Sequence, residues 1–400
     1  MKTKKTGILN IIGYVFAVIG TFAVVLFITL YFIMSMICNG SSEAARRVFV
    51  STVLETGQLK FLASWYLTED EINSVVQGNS MGDMNETVDK SLIKISVTGT
   101  PAAVAQDPAS IVGQAENNGA SVIYRENVTD FEAGSVVSGS NTTSVANEEE
   151  FDENGVRVVG IAGRTFYGTL LIIKDPSKVS LACIYPWQDQ GETLNVIVNR
   201  ANAVAGINGG LYVSSNNSGG KPIGVVVSHG EILMNNPQAV KGLVLIGMTN
   251  DNILTIDNIA SLSREDVVKL VKEKGIRDAC CFQEESSDVN NHFVQLVING
   301  QERELNGMGS GLNPRTVIGQ RADGAILMLV TDGRGTAGHL GASASDLINI
   351  MTEYGAVNAA NLDGGSSSSM YYNDEYLMTS VTFYYANESW RLPLAFVVEK

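Results

Sequence analysis

The chain has 400 residues, 45% of them apolar, and its 27 basic against 42 acidic side chains leave a net charge of −15. That charge repels polyanions, which excludes nucleic acid as a partner and requires any anionic substrate to be met by a local cluster of cations. Three histidines, His229, His292 and His339, are too few for a histidine-rich di-metal hydrolase, so no cofactor is strictly implied; a divalent cation on carboxylate and other oxygen ligands stays compatible with the composition, its ligands unknown.

Residues 1–6 carry Lys2, Lys4 and Lys5, and residues 7–38 contain no charged side chain. About twenty apolar residues suffice to cross a bilayer, and this run is longer than the core of a signal peptide. The sequence therefore predicts a retained single-pass anchor at the cell membrane, with the basic N-terminus cytoplasmic and the rest of the chain extracytoplasmic. Residues 41–77 then predict a helical stalk. Val50, Val53, Leu54, Leu59 and Leu62 recur at helical spacing, and Thr68 to Glu71 forms the capped start of a second short helix. Residues 78–154 are rich in Ser, Thr, Gly, Asn and Glu, a composition that buries too little apolar area to offset its ordering entropy. This stretch is expected to be a polar linker or partly ordered spacer.

After residue 155 the texture changes to short β-branched runs separated by Gly, Asn and Asp, as in 156–161, 168–173, 179–185, 203–207, 224–227, 242–246 and 253–256. Two segments, 263–274 and 343–354, carry helical spacing, each opened by Ser and closed by Gly275 or Gly355. The expected class is α+β, a mixed or antiparallel sheet domain with few helices. Residues 274–287 align without a gap with 354–367, which points to an internal strand-helix-strand duplication of about 242–300 on 314–375. Cys183, Cys280 and Cys281 are expected to be buried free thiols; neighbours on a strand face opposite ways, so Cys280 and Cys281 belong to different faces.

The sharpest motif is Asn361-Leu362-Asp363-Gly364-Gly365-Ser366, followed by three further serines. It follows a short strand, so the carboxylate emerges at a strand end where two glycines let backbone amides approach a ligand. Asn313-Pro314-Arg315-Thr316 enters another strand after the glycine-rich 307–311, and Asp332-Gly333-Arg334 leaves the next, with His339 five residues on. Asn208-Gly209-Gly210-Leu211-Tyr212 closes a further apolar strand. Together, and in this order, these four elements resemble the signature of the phosphodiester glycosidase family. The resemblance runs from about Val156, through Ala162 to Phe166, to the C-terminus, with Ser366 standing where a third glycine is common.

What the resemblance implies is a hydrolase that removes a sugar, in the type case N-acetylglucosamine, from a sugar-1-phosphodiester. Its substrate would be a sugar phosphodiester or glycan of envelope or exopolysaccharide metabolism. Asp363 is then the expected nucleophile or base, and Asp332 a second carboxylate or a ligand for metal or sugar. Arg315 and Arg334 would clamp phosphate. Asn208 and Asn361 would bond sugar hydroxyl or acetamido groups, and Gly209, Gly364, Gly365, Ser366 and Tyr212 would line the substrate. His339 would donate a proton or cap the following helix. A protein that binds exopolysaccharide without cutting it is the competing expectation, and oligomerisation is left open.

Overall fold

The computed structural model describes residues 2–55, 61–84, 86–95, 123–126, 150–285, 292–381 and 387–400. The chain divides into two compact units, Met1–Gly78 and Asn79–Lys400. The first is helical: α1 (Lys2–Asn39), α2 (Glu43–Glu55), α3 (Phe61–Ser64) and α4 (Glu69–Gln77). Within α1, Ile12–Asn39 is long and apolar enough to cross a membrane, and its side chains stay exposed until the last turns. There Cys38 is buried against Val50, Val53 and Leu54 of α2, Ala63 of α3 and Leu67. The capped start expected at Thr68 is present, with Thr68 and Glu71 exchanging bonds in a capping box.

The second unit is α+β, as expected, but its sheet is divided into three. In chain order its elements are β1 (Ile123–Glu126), β2 (Val156–Ala162), β3 (Tyr167–Ile173), β4 (Val179–Cys183), α5 (Leu194–Arg200), β5 (Ala203–Asn208), β6 (Val225–Ser228), β7 (Glu231–Asn235), β8 (Leu243–Thr249) and β9 (Leu254–Asn258). They continue with α6 (Arg264–Lys274), β10 (Ile276–Gln283), β11 (Gln295–Ile298), β12 (Gln301–Glu302), β13 (Thr316–Arg321), β14 (Ile326–Thr331), α7 (Ala344–Glu353), β15 (Ala356–Asn361), β16 (Met370–Tyr372), β17 (Glu375–Met378) and β18 (Leu394–Glu399). Eight strands pair in the order β1-β2-β3-β14-β13-β15-β11-β12; five pair as β7-β6-β10-β8-β9 and five as β17-β16-β5-β18-β4.

One inner face of each sheet contributes to a common core, which joins Leu171 and Ile318 of the first to Ile246 and Cys280 of the second and Ile207 and Phe396 of the third. Each outer face is covered by a single helix. α7 packs Leu347, Ile350 and Met351 on the first sheet, α6 packs Val267 and Val271 on the second, and α5 packs Leu194, Ile197 and Val198 on the third. Alternation along a strand explains the arrangement: Cys280 points to the shared core and Cys281 to the α6 side. All four cysteines are free thiols. Burial pushes the Cys183 and Cys281 thiols up to about 12, which makes them inert packing groups.

Every covering helix is followed within two residues by one in left-handed backbone and then a strand: Asn202 before β5, Gly275 before β10, Gly355 before β15. α6 and α7 share more. Each opens with a Ser–Asp capping box, Ser263 with Asp266 and Ser343 with Asp346. In the second sheet Ile246 faces Cys280 and Gly247 faces Ala279; in the first, Ile318 faces Ala360 and Gly319 faces Ala359, with the same register shift after the helix. The hairpins agree as well, Met248 facing Leu254 as Gln320 faces Ile326. Both stretches thus solve the same packing problem in the same register; ancestry is a separate matter. α5 carries no helical signature of comparable length, only 7 residues without a side-chain cap bond, so it is legible only from its burial.

The expected 78–154 spacer divides differently from its composition. Residues 79–95 lie on the second unit: Asn79 Oδ1 accepts from Met308 N at 2.9 Å, Gly82 N donates to Glu304 O at 2.8 Å and Lys94 N to Ala322 O at 2.8 Å. Met81 and Ile93 are buried there, and β1 adds an edge strand to β2. The polar side chains of this stretch suggest solvent, but here its backbone finds protein partners. Residues 150–154 lead into β2, Asp152 N donating to Val156 O at 3.0 Å, and the rest of that expected spacer lies outside the described residues.

Candidate active site

Antiparallel pairing of β14, β13 and β15 brings the end of the first, the start of the second and the end of the third to one edge of the sheet. Asp332, Arg315 and Asp363 follow or precede those strand ends directly. Thr331 N donates to Arg315 O at 2.9 Å, and Leu362 N to Thr316 O at 2.8 Å, so the three segments are fastened side by side. β5 arrives from the third sheet at the same place: Asp363 N donates to Gly209 O at 3.3 Å, and Asn208 Nδ2 to Asp363 O at 2.6 Å. The end of β10 joins through Leu211 N, which donates to Cys281 O at 2.8 Å, and a Cβ at Gly210 would collide with that same carbonyl. The strands that follow all three covering helices therefore end around one point.

Asp363 is held from two sides. Ser367 Oγ donates to its Oδ2 at 2.6 Å and Gly364 N to its Oδ1 at 3.0 Å. Burial pushes this carboxyl up to about 6, against the opposing pull of Ser367, the Gly364 amide and the Arg334 guanidinium. Ser367 in turn meets the Tyr212 hydroxyl at 2.8 Å. Ser367 sits on a single 3₁₀ turn, Gly365–Ser367, that directs one serine of the run inward while Ser366 faces Arg334.

Arg334 is the exposed cation of the site. Its Nη1 donates to Ser366 Oγ at 2.9 Å and its Nε to Asn313 Oδ1 at 3.4 Å, and its backbone is left-handed at φ 55°. That conformation costs a non-glycine residue about 1 kcal/mol or more, and such outliers gather where a side chain must be aimed. Gly365 is required beneath it, with φ 63° and a Cβ position only 2.5 Å from the guanidinium. Asp332 is buried, accepts from Tyr167 N at 2.7 Å and meets His339 Nδ1 at 2.6 Å. Burial raises its carboxyl, and the His339 and Tyr167 bonds oppose that rise.

Several expected ligands are placed differently from a substrate-facing role. Arg315 is 8% exposed, stacks over the Phe293 ring and donates to Ser310 Oγ, Gly311 O and Ala342 O. Its guanidinium fastens the glycine-rich loop to the α7 entrance. Asn208 is fully buried and ties Asp363 to Thr316 Oγ1 and Ser369 N. Tyr212 is in the core under α5, reaching the site through Ser367. Asn361 is buried and donates to Phe293 O, with its Oδ1 left unbonded. Arg321, near the other two arginines in sequence, pairs with Asp323 at the opposite end of the β13–β14 hairpin. Sequence reasoning passed over Ser367, Thr316, Asn313 and Ser310, all small polar residues whose role depends on which strand lies next to theirs. Among the described residues no group of three or more His, Cys, Asp or Glu is arranged to hold a metal.

Residues 201–399, the stretch that carries all four strand-end motifs, match the family model described as phosphodiester glycosidase. This domain belongs to the phosphodiester glycosidase family. A curated relative, the SPbeta prophage-derived uncharacterized protein YomE of Bacillus subtilis (strain 168), is 37% identical over 65 residues, 16% of this chain and 10% of that protein. The match therefore spans about a tenth of the curated relative's length. Among solved structures, the zebrafish N-acetylglucosamine-1-phosphodiester alpha-N-acetylglucosaminidase catalytic domain, auto-inhibited by its pro-peptide, is 16% identical, with a TM-score of 0.46 over 70% of this chain and 88% of that one. A hypothetical protein from Synechocystis is 18% identical, with a TM-score of 0.38 over 61% and 62% of the two chains. The strand ends of the phosphodiester glycosidase domain thus supply a carboxyl near neutrality, an exposed guanidinium and a carboxyl–imidazole pair.

Proposed function

We propose that this protein is a membrane-anchored, extracytoplasmic glycosidase that hydrolyses a sugar-1-phosphodiester bond, with Asp363 and Arg334 at the reacting centre. The observation that carries the reading is the Asp363 carboxyl, raised to about 6 at a point where strands from three sheets end, beside an exposed arginine. Cleavage at the anomeric carbon breaks the C1–O bond, and the electron pair leaves with the phosphate oxygen. The oxocarbenium-like centre needs a carboxylate nearby, as nucleophile or as base toward water, and Asp363 supplies it once ionised. The departing phosphate needs positive charge, which Arg334 supplies together with the Ser366 hydroxyl that it meets. A phosphate leaves more readily than a sugar alkoxide, so proton donation is a smaller demand; the His339–Asp332 pair is placed to meet it.

Retention of the anchor is supported by the first unit. Removing α1 as a signal peptide would strip Cys38 from the stalk core and expose Val50, Leu54 and Leu67. The acidic charge of the chain and the exposed Arg334 suit one phosphodiester rather than a polyanion.

The test is to incubate the full chain with a nucleotide-sugar or another sugar-1-phosphodiester in ¹⁸O-labelled water. Free sugar carrying the label at C1, lost in Asp363→Asn, is the expected result. Label in phosphate would mean attack at phosphorus. Glycan binding without turnover in either form would favour the non-hydrolytic reading, to which the engagement of Arg315 and Asn208 by protein groups lends some weight.

A further inference from the structure

The stalk does not stand clear of the membrane-spanning helix; it folds back along it. The uncharged run of α1, residues 7–38, is about 48 Å long at the helical rise, against about 30 Å for the hydrocarbon core of a bilayer. Tyr31 stands about 36 Å along α1 from Gly7, just beyond a hydrocarbon core that begins there, and the stalk meets α1 from this level on: the Tyr66 ring lies 5.3 Å from that of Tyr31, and Cys38 is buried among α2, α3 and Leu67. One side of the surplus length of α1 is thus covered by protein, while Phe32 and Met36 stay exposed on it.

On the stalk beside Tyr66, two large apolar side chains remain uncovered. Phe61 is 48% exposed and Trp65 53%, and their rings, one on α3 and one in the turn that follows it, pack edge to face 5.1 Å apart. Trp and Tyr prefer the boundary between headgroups and acyl chains, where an apolar ring and a polar N–H or O–H are both satisfied. We propose that the Phe61–Trp65 edge of the stalk rests in this boundary of the bilayer that α1 spans, fixing the stalk against the membrane surface. The proposal rests on the anchored reading above. Headgroup charge is not the attraction, because the neighbouring first turn of α4 carries Glu69, Asp70 and Glu71.

The experiment reconstitutes the full chain in phosphatidylcholine vesicles with and without acyl chains brominated near the headgroup. Trp65 emission is taken as the difference between wild type and Trp65→Phe, a substitution at an exposed ring that leaves the stalk core intact. The expected result is blue-shifted Trp65 emission, strongly quenched by the brominated lipid and shielded from aqueous iodide. Emission of a hydrated indole, quenched by iodide and untouched by the lipid, overturns the proposal. Mass spectrometry of the same sample separates the two readings. A mature chain beginning beyond Cys38 overturns the anchor and the proposal together, whereas an intact N-terminus with hydrated Trp65 overturns the proposal alone.

Discussion

Asp363 makes one chemical demand of its surroundings: to stay ionised while partly buried. Its folded value of about 6 exceeds that of a free carboxyl, so the carboxylate needed for attack or base work is present above about pH 6 and lost as pH falls through it. Activity is therefore expected to fall on the acid side with a midpoint near 6, read from the pH profile of kcat/KM. Ser367 donates to the charged form, and a bond of that kind is worth roughly 1.5–3 kcal/mol, or about one to two pH units. Ser367→Ala should move the acid limb upward by that amount, with a smaller change in KM than in kcat at pH 6; an unmoved limb would show that Asp363 does not set it. The motif around Asp363 was legible from its double glycine. Its restraint by Ser367 was not, because four consecutive serines differ only in where a single 3₁₀ turn points them.

Helix α7 is the element on which the site is mounted. It is buried along nearly its whole length, and the Ser343 side chain that opens it accepts from Asp346 N while Asp346 bonds back to the Ser343 N–H. Both ends of that exchange are buried, so no water replaces a lost partner. Ser343→Ala is expected to cost about 1–2 kcal/mol in denaturant unfolding, with the m-value unchanged. Ser263→Ala at the exposed start of α6 should cost less in the same measurement. Both boxes were visible in sequence as Ser-x-x-Asp before an apolar-periodic run. Which of the two helices would be buried was not visible from the caps, since they are alike; the apolar content of 344–353 against the charged 264–274 separated them.

Over the whole molecule the second unit is larger than its β-rich texture suggested, because residues 79–95 lie across the glycine-rich loop and the β13–β14 turn. A chain begun at residue 155 leaves the backbone groups of 304–308 without those partners and exposes the surface that Met81 and Ile93 cover. It should melt several degrees below a chain begun at residue 79, measured by circular dichroism, and equal melting temperatures would make the segment dispensable. By itself the sequence determined what depends on neighbours a few residues away: the apolar run of α1, the capped helices, the β-branched strands, and glycines where the backbone must turn left-handed or pass close. Tertiary structure alone decided that one sheet becomes three around a shared core, that Arg315 and Asn208 bind protein while Arg334 faces outward, and that the strands leading to Asp332 and Asp363 end on the same side of one sheet. Those outcomes depend on which strand pairs with which, and strand pairing joins residues far apart in the chain that no local pattern relates.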